Sequence, residues 1–168
     1  MKTNILILLA HPNYKDSRAN RAMIDAVSDM ENVKIRNLQD VEPTPDNYRD
    51  DVAKADIIIF QFPTWWLHSP WPLEQWMDAC MLPFMDNPGF KGKRLMVATT
   101  TGSGYSSYRA GGACQFTIDE LMRPYQVSAL YSGLGYITPF AIYGTMTPDA
   151  EKNIAEGAKA YRSLLESF

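Results

Sequence analysis

Three uninterrupted apolar runs divide the first hundred residues, and each predicts a β-strand. They are "NILILLA" (4–10), "DIIIFQF" (56–62) and "RLMVATTT" (94–101). None alternates apolar with polar positions, which is typical of strands covered on both faces. Two further strands are predicted at "VKIRNL" (33–38), which alternates like a less buried strand, and at "YITPFAIYG" (136–144). Pro139 inside the last of these favours a position at the edge of the sheet.

Segments with helical spacing separate the strands. In residues 17–30 the apolar positions fall on one helical face, and Ser17 precedes them as a candidate N-cap. Further helices are predicted at the end of 39–54, from Pro72 onward, over 114–122 with a stop near Pro124, and over 148–167. A short helical or extended segment is predicted to continue to Ser132. This alternation predicts an α/β fold with a parallel sheet covered by helices on both faces.

Five strands in a chain of this length match a small doubly wound fold, a three-layer α/β/α sandwich with strand order 2-1-3-4-5. In such sheets a ligand lies beyond the carboxyl ends of the strands, where the winding reverses between strands 1 and 3. The loops at 11–17, 63–70 and 101–112 should therefore meet at one crevice.

Composition narrows the function classes. The chain has 168 residues, which suits a single domain over 1–168, and a net charge of −3, which argues against a nucleic-acid partner. No apolar run approaches the roughly 18 residues that span a bilayer, so membrane insertion is not expected. Cys80 and Cys114 lie far apart in predicted helices and are expected as reduced thiols of a cytoplasmic protein. With two histidines and no ligand cluster, no metal site is predicted.

The first loop, "HPNYKDSRAN" (11–20), has several features that suit a phosphate. A strand leads into a helix whose first N–H groups are unpaired and carry the positive end of the helix dipole. Ser17, Arg18 and Asn20 add a hydroxyl, a charge and an amide, and His11 stands at the strand end. A purely structural interpretation stays open, in which Ser17 caps the helix, Asn20 faces solvent and His11 bonds a neighbouring carbonyl.

The second and third loops suit a planar ligand. Pro63, Thr64, Trp65, Trp66 and Leu67 place two adjacent indoles where a flat ring would lie, although packing on a helix or a dimer partner is the alternative. The third loop, "TTTGSGYSSYRAGG" (99–112), offers hydroxyls, glycines that let backbone approach a ligand, and the phenols of Tyr105 and Tyr108. A glycine-rich surface loop without a ligand is the competing interpretation.

The chain resembles the flavodoxin-like NAD(P)H:quinone oxidoreductases, the family of DT-diaphorase, modulator-of-drug-activity proteins and ancillary subunits of potassium efflux systems. The resemblance covers nearly the whole chain and rests on "ILILLAHPNYKDSRANRAM", "ADIIIFQFPTWWLHSPWPLEQWMD", "TTTGSGYSSY" with "ELMRPYQ", and "PFAIYG". It implies a flavodoxin-like fold, a homodimer with its site at the subunit interface, and a flavin. FMN is expected, because the chain lacks the C-terminal extension of the FAD-binding mammalian forms, although FAD stays possible.

The resemblance also assigns residues. The flavin phosphate side is implied for His11, Ser17, Arg18, Ala19 and Asn20. The isoalloxazine wall is implied for Pro63, Thr64, Trp65, Trp66 and Leu67, and the polar edge of the ring for Thr100, Thr101, Gly102 and Gly104. Backbone amides near Thr101 and Gly102 are expected to stabilise negative charge on the reduced ring. Trp66 and Tyr108 are expected to shape the substrate slot as catalytic residues.

The implied activity is a two-electron ping-pong reaction, in which NAD(P)H gives hydride through bound FMN to a quinone or similar small acceptor. Two hypotheses of another class stay open at this point. One is a regulatory ancillary subunit that associates peripherally with an ion-efflux protein, and the other is a flavodoxin-like electron carrier.

Overall fold

A computed structural model describes residues 2–168, in which five β-strands and six α-helices alternate as the sequence predicts. The strands are β1 (Ile5–Leu9), β2 (Val33–Asn37), β3 (Ile57–Pro63), β4 (Arg94–Thr100) and β5 (Gly135–Ile142). The helices are α1 (Ala19–Val27), α2 (Pro45–Lys54), α3 (Trp71–Met85), α4 (Ile118–Leu121), α5 (Arg123–Tyr131) and α6 (Ala150–Glu166). Short 3-10 turns occupy Tyr14–Asp16 and Tyr105–Ser107.

The strands form one parallel sheet in the order β2-β1-β3-β4-β5, which confirms the predicted topology. Every residue of β1 and β3 is buried, as their unbroken apolar runs predict, whereas β2 is only half-buried. Leu9 pairs with both Asn37 and Gln61, so the carboxyl ends of β1, β2 and β3 lie side by side. The strand ends that should border the predicted crevice are therefore adjacent.

Each face of the sheet has its own hydrophobic core, because successive side chains of a strand point to opposite faces. Ile5, Ile7 and Leu9 pack with α1 and α6. Leu6 and Leu8 pack in a core to which α2, α3, α4 and α5 contribute. Trp76 of α3 is fully buried in this second core. The result is the predicted three-layer α/β/α sandwich.

Strand β5 lies at the edge of the sheet, as Pro139 predicts. Met96 of β4 pairs with Ile137 and Ala98 pairs with Phe140, so the register shifts around Pro139. Proline has no N–H to donate to a ladder, and an edge position with a local bulge accommodates that loss.

One prediction about the segment after β4 is wrong. The helix predicted over 114–122 starts only at Ile118, because α4 covers Ile118–Leu121 and Cys114 lies in a loop. The predicted stop near Pro124 and the short segment to Ser132 are confirmed: α4 ends at Leu121, and α5 follows with Pro124 in its first turn, where a missing N–H costs nothing. Among residues 2–168, no helix is both long and apolar enough to cross a bilayer.

Candidate functional site

A cavity of about 350 Å³ opens at the carboxyl ends of β1, β3 and β4. Its volume falls in the range of small-ligand sites, roughly 300–1,000 Å³. Eight predicted residues line it: His11, Ser17, Arg18, Ala19, Asn20, Pro63, Trp65 and Thr100. The other predicted residues lie outside its lining: Thr64, Trp66, Leu67, Thr101, Gly102, Gly104 and Tyr108. The first two loops and the end of β4 thus meet as expected. Residues 101–112 of the third loop do not line the cavity, contrary to the prediction.

Helix α1 presents an uncapped N-terminus to this cavity. The helix begins at Ala19 with Arg18 as its N-cap, and no side chain among residues 2–168 caps its first N–H groups. The prediction of Ser17 as N-cap is therefore wrong: Ser17 ends the preceding 3-10 turn, and its backbone N–H donates to the Tyr14 carbonyl at 3.0 Å. Free N–H groups and the helix dipole make this end a site for an anion.

Charges of both signs surround the mouth of the cavity. Arg18 forms an exposed ion pair with Glu151 of α6. Asp16, which lines the cavity, accepts a hydrogen bond from the Asn13 amide. An anion bound at the helix end would therefore have one guanidinium and two carboxylates near it.

Asn20 is buried, so the interpretation that it faces solvent is wrong. Its amide nitrogen donates to the Thr100 hydroxyl at 3.2 Å, and its backbone carbonyl accepts from Gln61 Nε2 at 3.2 Å. These bonds tie the first turn of α1 to β3 and β4. The cavity floor is consequently fixed by three separate elements.

His11 is held as a neutral imidazole. The backbone N–H of Asn13 donates to His11 Nδ1 at 3.1 Å, which places the ring proton on Nε2. Burial lowers the pKa of His11, which favours the same neutral form. The Trp65 ring lies edge-on to the imidazole with 5.7 Å between centroids. His11 therefore accepts from an N–H and does not bond a neighbouring carbonyl through Nδ1.

The second loop is a tight hairpin. Trp65 and His68 exchange two backbone hydrogen bonds, at 3.1 and 3.0 Å, around Trp66 and Leu67. Both central residues have positive φ, 50° and 65°. This directs Trp65 to the cavity, while Trp66 is 99% exposed at the tip. Thr64, beside the hairpin, bonds to β4 through its N–H and its hydroxyl.

The third loop forms hydrogen bonds with the end of β5 and with the segment that follows it. The Thr101 N–H donates to the Ile142 carbonyl at 2.9 Å. This amide is therefore not free for a ligand, contrary to the expectation from the sequence. The Gly102 carbonyl accepts from the Met146 N–H at 3.1 Å, and a Cβ on Gly102 would lie 2.9 Å from Met146 Sδ. Gly104 faces open space.

Tyr108 lies buried within the third loop, with its ring centroid 5.9 Å from that of Tyr143. Burial raises the pKa of its phenol, and the nearby Thr101 side chain partly offsets this. Within one chain Tyr108 therefore packs in the third loop and does not line the cavity.

Sequence reasoning missed four lining residues. Asn13 and Asp16 belong to the first loop, while Thr145 and Met146 follow β5. A signal for the latter pair exists, because the carboxyl end of β5 lies beside that of β4. Gly144, with a φ of 74°, turns the chain there toward the cavity.

Comparison with known proteins agrees with this architecture. A family model described as a flavodoxin-like fold matches residues 3–165. The ancillary protein KefF of a glutathione-regulated potassium-efflux system from Klebsiella aerogenes is 35% identical over 172 residues, with 96% of this chain and 94% of that protein covered.

Two solved structures have closely similar folds. General stress protein 14 from Treponema denticola, in complex with FMN, is 26% identical with a TM-score of 0.88, covering 98% of each chain. An NADPH-quinone reductase from P. pentosaceus is 28% identical with a TM-score of 0.84, covering 97% of this chain and 98% of that one. The chain therefore belongs to the flavodoxin-like fold family, and within it to the NAD(P)H quinone reductase group that its sequence resembles.

Proposed function

We propose that the chain is a flavin-dependent NAD(P)H:quinone oxidoreductase that holds FMN in the cavity at the carboxyl ends of the strands. One observation supports this most directly: the uncapped N-terminus of α1 opens into a cavity walled by Trp65. An anion site and an aromatic wall in one space suit a molecule with a phosphate at one end and a flat ring at the other. The FMN complex of the Treponema denticola relative supports the same assignment.

Within this proposal, FMN supplies the hydride chemistry when it is bound. Ser17, Arg18 and the first N–H groups of α1 hold the phosphate. Trp65 packs on the ring, and Thr100 lies toward its polar edge. Trp66 and Tyr108 stay predictions for the slot that NAD(P)H and the quinone occupy in turn.

The FMN complex of the Treponema denticola relative, which this chain matches over 98% of both lengths, supports FMN over FAD as the bound flavin.

Cofactor and activity are tested together on the purified protein. We expect a yellow preparation whose absorbance spectrum is that of a flavin and whose released chromophore is FMN. We also expect steady-state oxidation of NADH or NADPH that depends on menadione and shows parallel-line ping-pong kinetics. A colourless protein that takes up neither FMN nor FAD at micromolar concentration contradicts the proposal, and flavin without turnover indicates an electron carrier.

A second candidate function is that of an ancillary subunit of an efflux system. The similarity to KefF, over nearly the full length of both chains, supports it. Retention of an efflux protein from detergent-solubilised membranes on the immobilised chain, identified by mass spectrometry, is the expected result. Equal retention on an unrelated flavodoxin-like protein argues against it.

We also propose that the chain forms a homodimer through an apolar face of α3 and α5. A shallow groove between the two helices is lined mainly by large apolar or aromatic side chains, with three polar residues beside them: Met77, Met81, Leu82, Met85 and Tyr131, and Asp78, Ser128 and Ser132. Leu82 and Tyr131 are exposed, at 64% and 76%. Exposed apolar surface of this kind marks an interaction site.

Leu82→Glu should convert the dimer to a monomer, because it places a charge at the centre of the apolar groove. Light scattering after size-exclusion chromatography should give the mass of one chain for this variant and of two for the parent. Ala160→Glu, at an exposed position on α6, is the matched control and should leave the mass unchanged. A monomeric parent protein at micromolar concentration contradicts the proposal.

A further inference from the structure

The hairpin that carries Trp65 has a backbone that its own residues disfavour. Two-residue hairpin turns with positive φ at both central positions prefer asparagine and glycine. Here the central residues are Trp66 and Leu67, at φ 50° and 65°. Bulky side chains at positive φ cost free energy and persist only where surrounding structure fixes them. Trp66 is almost fully exposed, so its own packing does not hold the turn.

A polar network directly after the hairpin supplies that constraint. The backbone N–H of Ser69 donates to the Tyr125 hydroxyl oxygen at 3.0 Å. The Tyr125 hydroxyl in turn donates to Glu74 Oε1 at 3.3 Å, and the Ser69 hydroxyl donates to the same oxygen. The three residues come from the loop, from α5 and from the first turn of α3. The base of the hairpin is thereby tied to two helices.

Burial makes this network rigid. Ser69 and Tyr125 are both buried, at 7% and 2% exposure. The Tyr125 ring packs against Phe62 of β3 and His68 of the hairpin, with centroids 5.3 and 6.1 Å away. Burial raises the pKa of Tyr125 to about 12, so its hydroxyl keeps the proton that it donates to Glu74 at neutral pH. Both hydrogen-bonding roles of this hydroxyl are therefore fixed.

We propose that Ser69, Glu74 and Tyr125 are positioning residues, which hold the strained hairpin in the conformation that places Trp65 on the wall of the cavity. The effect on the hairpin is independent of any ligand. The effect on flavin binding rests on the proposed function. If the network is lost, the hairpin samples other conformations, and the apparent affinity falls in proportion to the remaining population of the competent one.

Tyr125→Phe tests the network directly, because it removes one hydroxyl and keeps the ring. Tyr136→Phe is the matched control: Tyr136 lies in the same core, and its hydroxyl has no hydrogen-bond partner among residues 2–168. Amide hydrogen exchange of Trp65 and His68 should be at least about tenfold faster in Tyr125→Phe, because the substitution removes both hydrogen bonds of the hydroxyl, the one from the Ser69 N–H and the one to Glu74. Exchange at these amides should match the parent protein in Tyr136→Phe.

Two variants at Glu74 separate hydrogen bonding from general destabilisation. Glu74→Gln keeps an acceptor oxygen but loses the charge, so its exchange rates should lie between those of the parent and of Tyr125→Phe, whereas Glu74→Leu should accelerate exchange at least as much as Tyr125→Phe. Amides of β1 and β3 serve as internal references in each variant. Acceleration of these core amides to the same extent as the hairpin amides, or unchanged exchange at Trp65 and His68, overturns the proposal.

Titration with FMN and with riboflavin measures the effect of the network on flavin affinity. Tyr125→Phe should weaken both about fivefold, because the hairpin lies at the ring end that the two ligands share. If the parent protein binds neither flavin, the proposed function fails, while the exchange measurement still decides whether the network holds the hairpin. Faster hairpin exchange with unchanged flavin affinity overturns the positioning role toward the ligand.

Discussion

Ser17→Asp should weaken FMN binding about 100-fold or more and leave riboflavin binding unchanged. Ser17 lines the cavity beside the uncapped N-terminus of α1, where the proposal places the phosphate. A carboxylate at this position, one residue before the N-cap, competes with the phosphate for the positive end of the helix dipole and repels it. Two like charges about 4 Å apart near a protein surface repel by about 4 kcal/mol, so we expect the FMN dissociation constant to rise about 100-fold or more. Riboflavin has no phosphate and avoids this repulsion.

The measurement is quenching of flavin fluorescence with each ligand. An acidic residue at a helix N-terminus stabilises the helix, so the variant should unfold at the same or higher urea concentration than the parent protein. Ser163→Asp, at an exposed position on α6, adds the same charge far from the cavity and should bind both flavins normally. Equal weakening of FMN and riboflavin would show that the phosphate lies elsewhere.

The sheet and the position of the cavity were predictable because they depend on features that a sequence displays directly. Strands β1 and β3 are buried on both faces, and only unbroken apolar runs meet that requirement. Once the strand order is fixed, parallel strands bring their carboxyl ends to one edge. His11, Pro63 and Thr100 therefore lie near one another, and their proximity does not depend on the exact lengths of the intervening helices.

The segment after β4 was predicted less well because its signals are short. Thr117 and Glu120 form a capping box, in which each side chain bonds the other residue's backbone N–H. The pattern Thr-x-x-Glu was present in the sequence and marks the start of α4 at Ile118. The helix predicted over 114–122 starts four residues too early, because Cys114 lies in a loop. The stop near Pro124 is confirmed, since α4 ends at Leu121 and proline fits in the first turn of α5.

The hairpin at Trp65–His68 shows why local preference fails at a candidate site. No turn rule predicts a Trp-Leu pair at positive φ, since the local preference points to asparagine and glycine. The conformation exists because Ser69, Glu74 and Tyr125 meet there, and the last of these is 56 residues from Ser69 in sequence. Contacts at that separation are a property of the fold. The aromatic surface was recognisable from sequence, while the split between a lining Trp65 and an exposed Trp66 was not.

Gly112→Ala should lower the free energy of unfolding by about 3 kcal/mol, at the upper end of the usual cost of overpacking. A Cβ at this position would lie 2.2 Å from the Ser106 carbonyl oxygen and 2.7 Å from that of Ser107. These are backbone atoms, and the Ser107 carbonyl already accepts from the Cys114 N–H. The third loop must therefore open, and Tyr108, which it buries, must lose packing.

Urea unfolding followed by fluorescence measures the loss. Gly104→Ala is the matched control in the same loop, because Gly104 has a φ of −70° and nothing lies within 4 Å of a Cβ built there. That substitution should leave stability unchanged or raise it slightly, since alanine restricts the unfolded chain. A midpoint for Gly112→Ala equal to that of Gly104→Ala would mean that the loop relaxes freely around residue 112. In that case the third loop would not rigidly hold Thr145 and Met146, which line the cavity and whose N–H groups donate to Thr101 and Gly102.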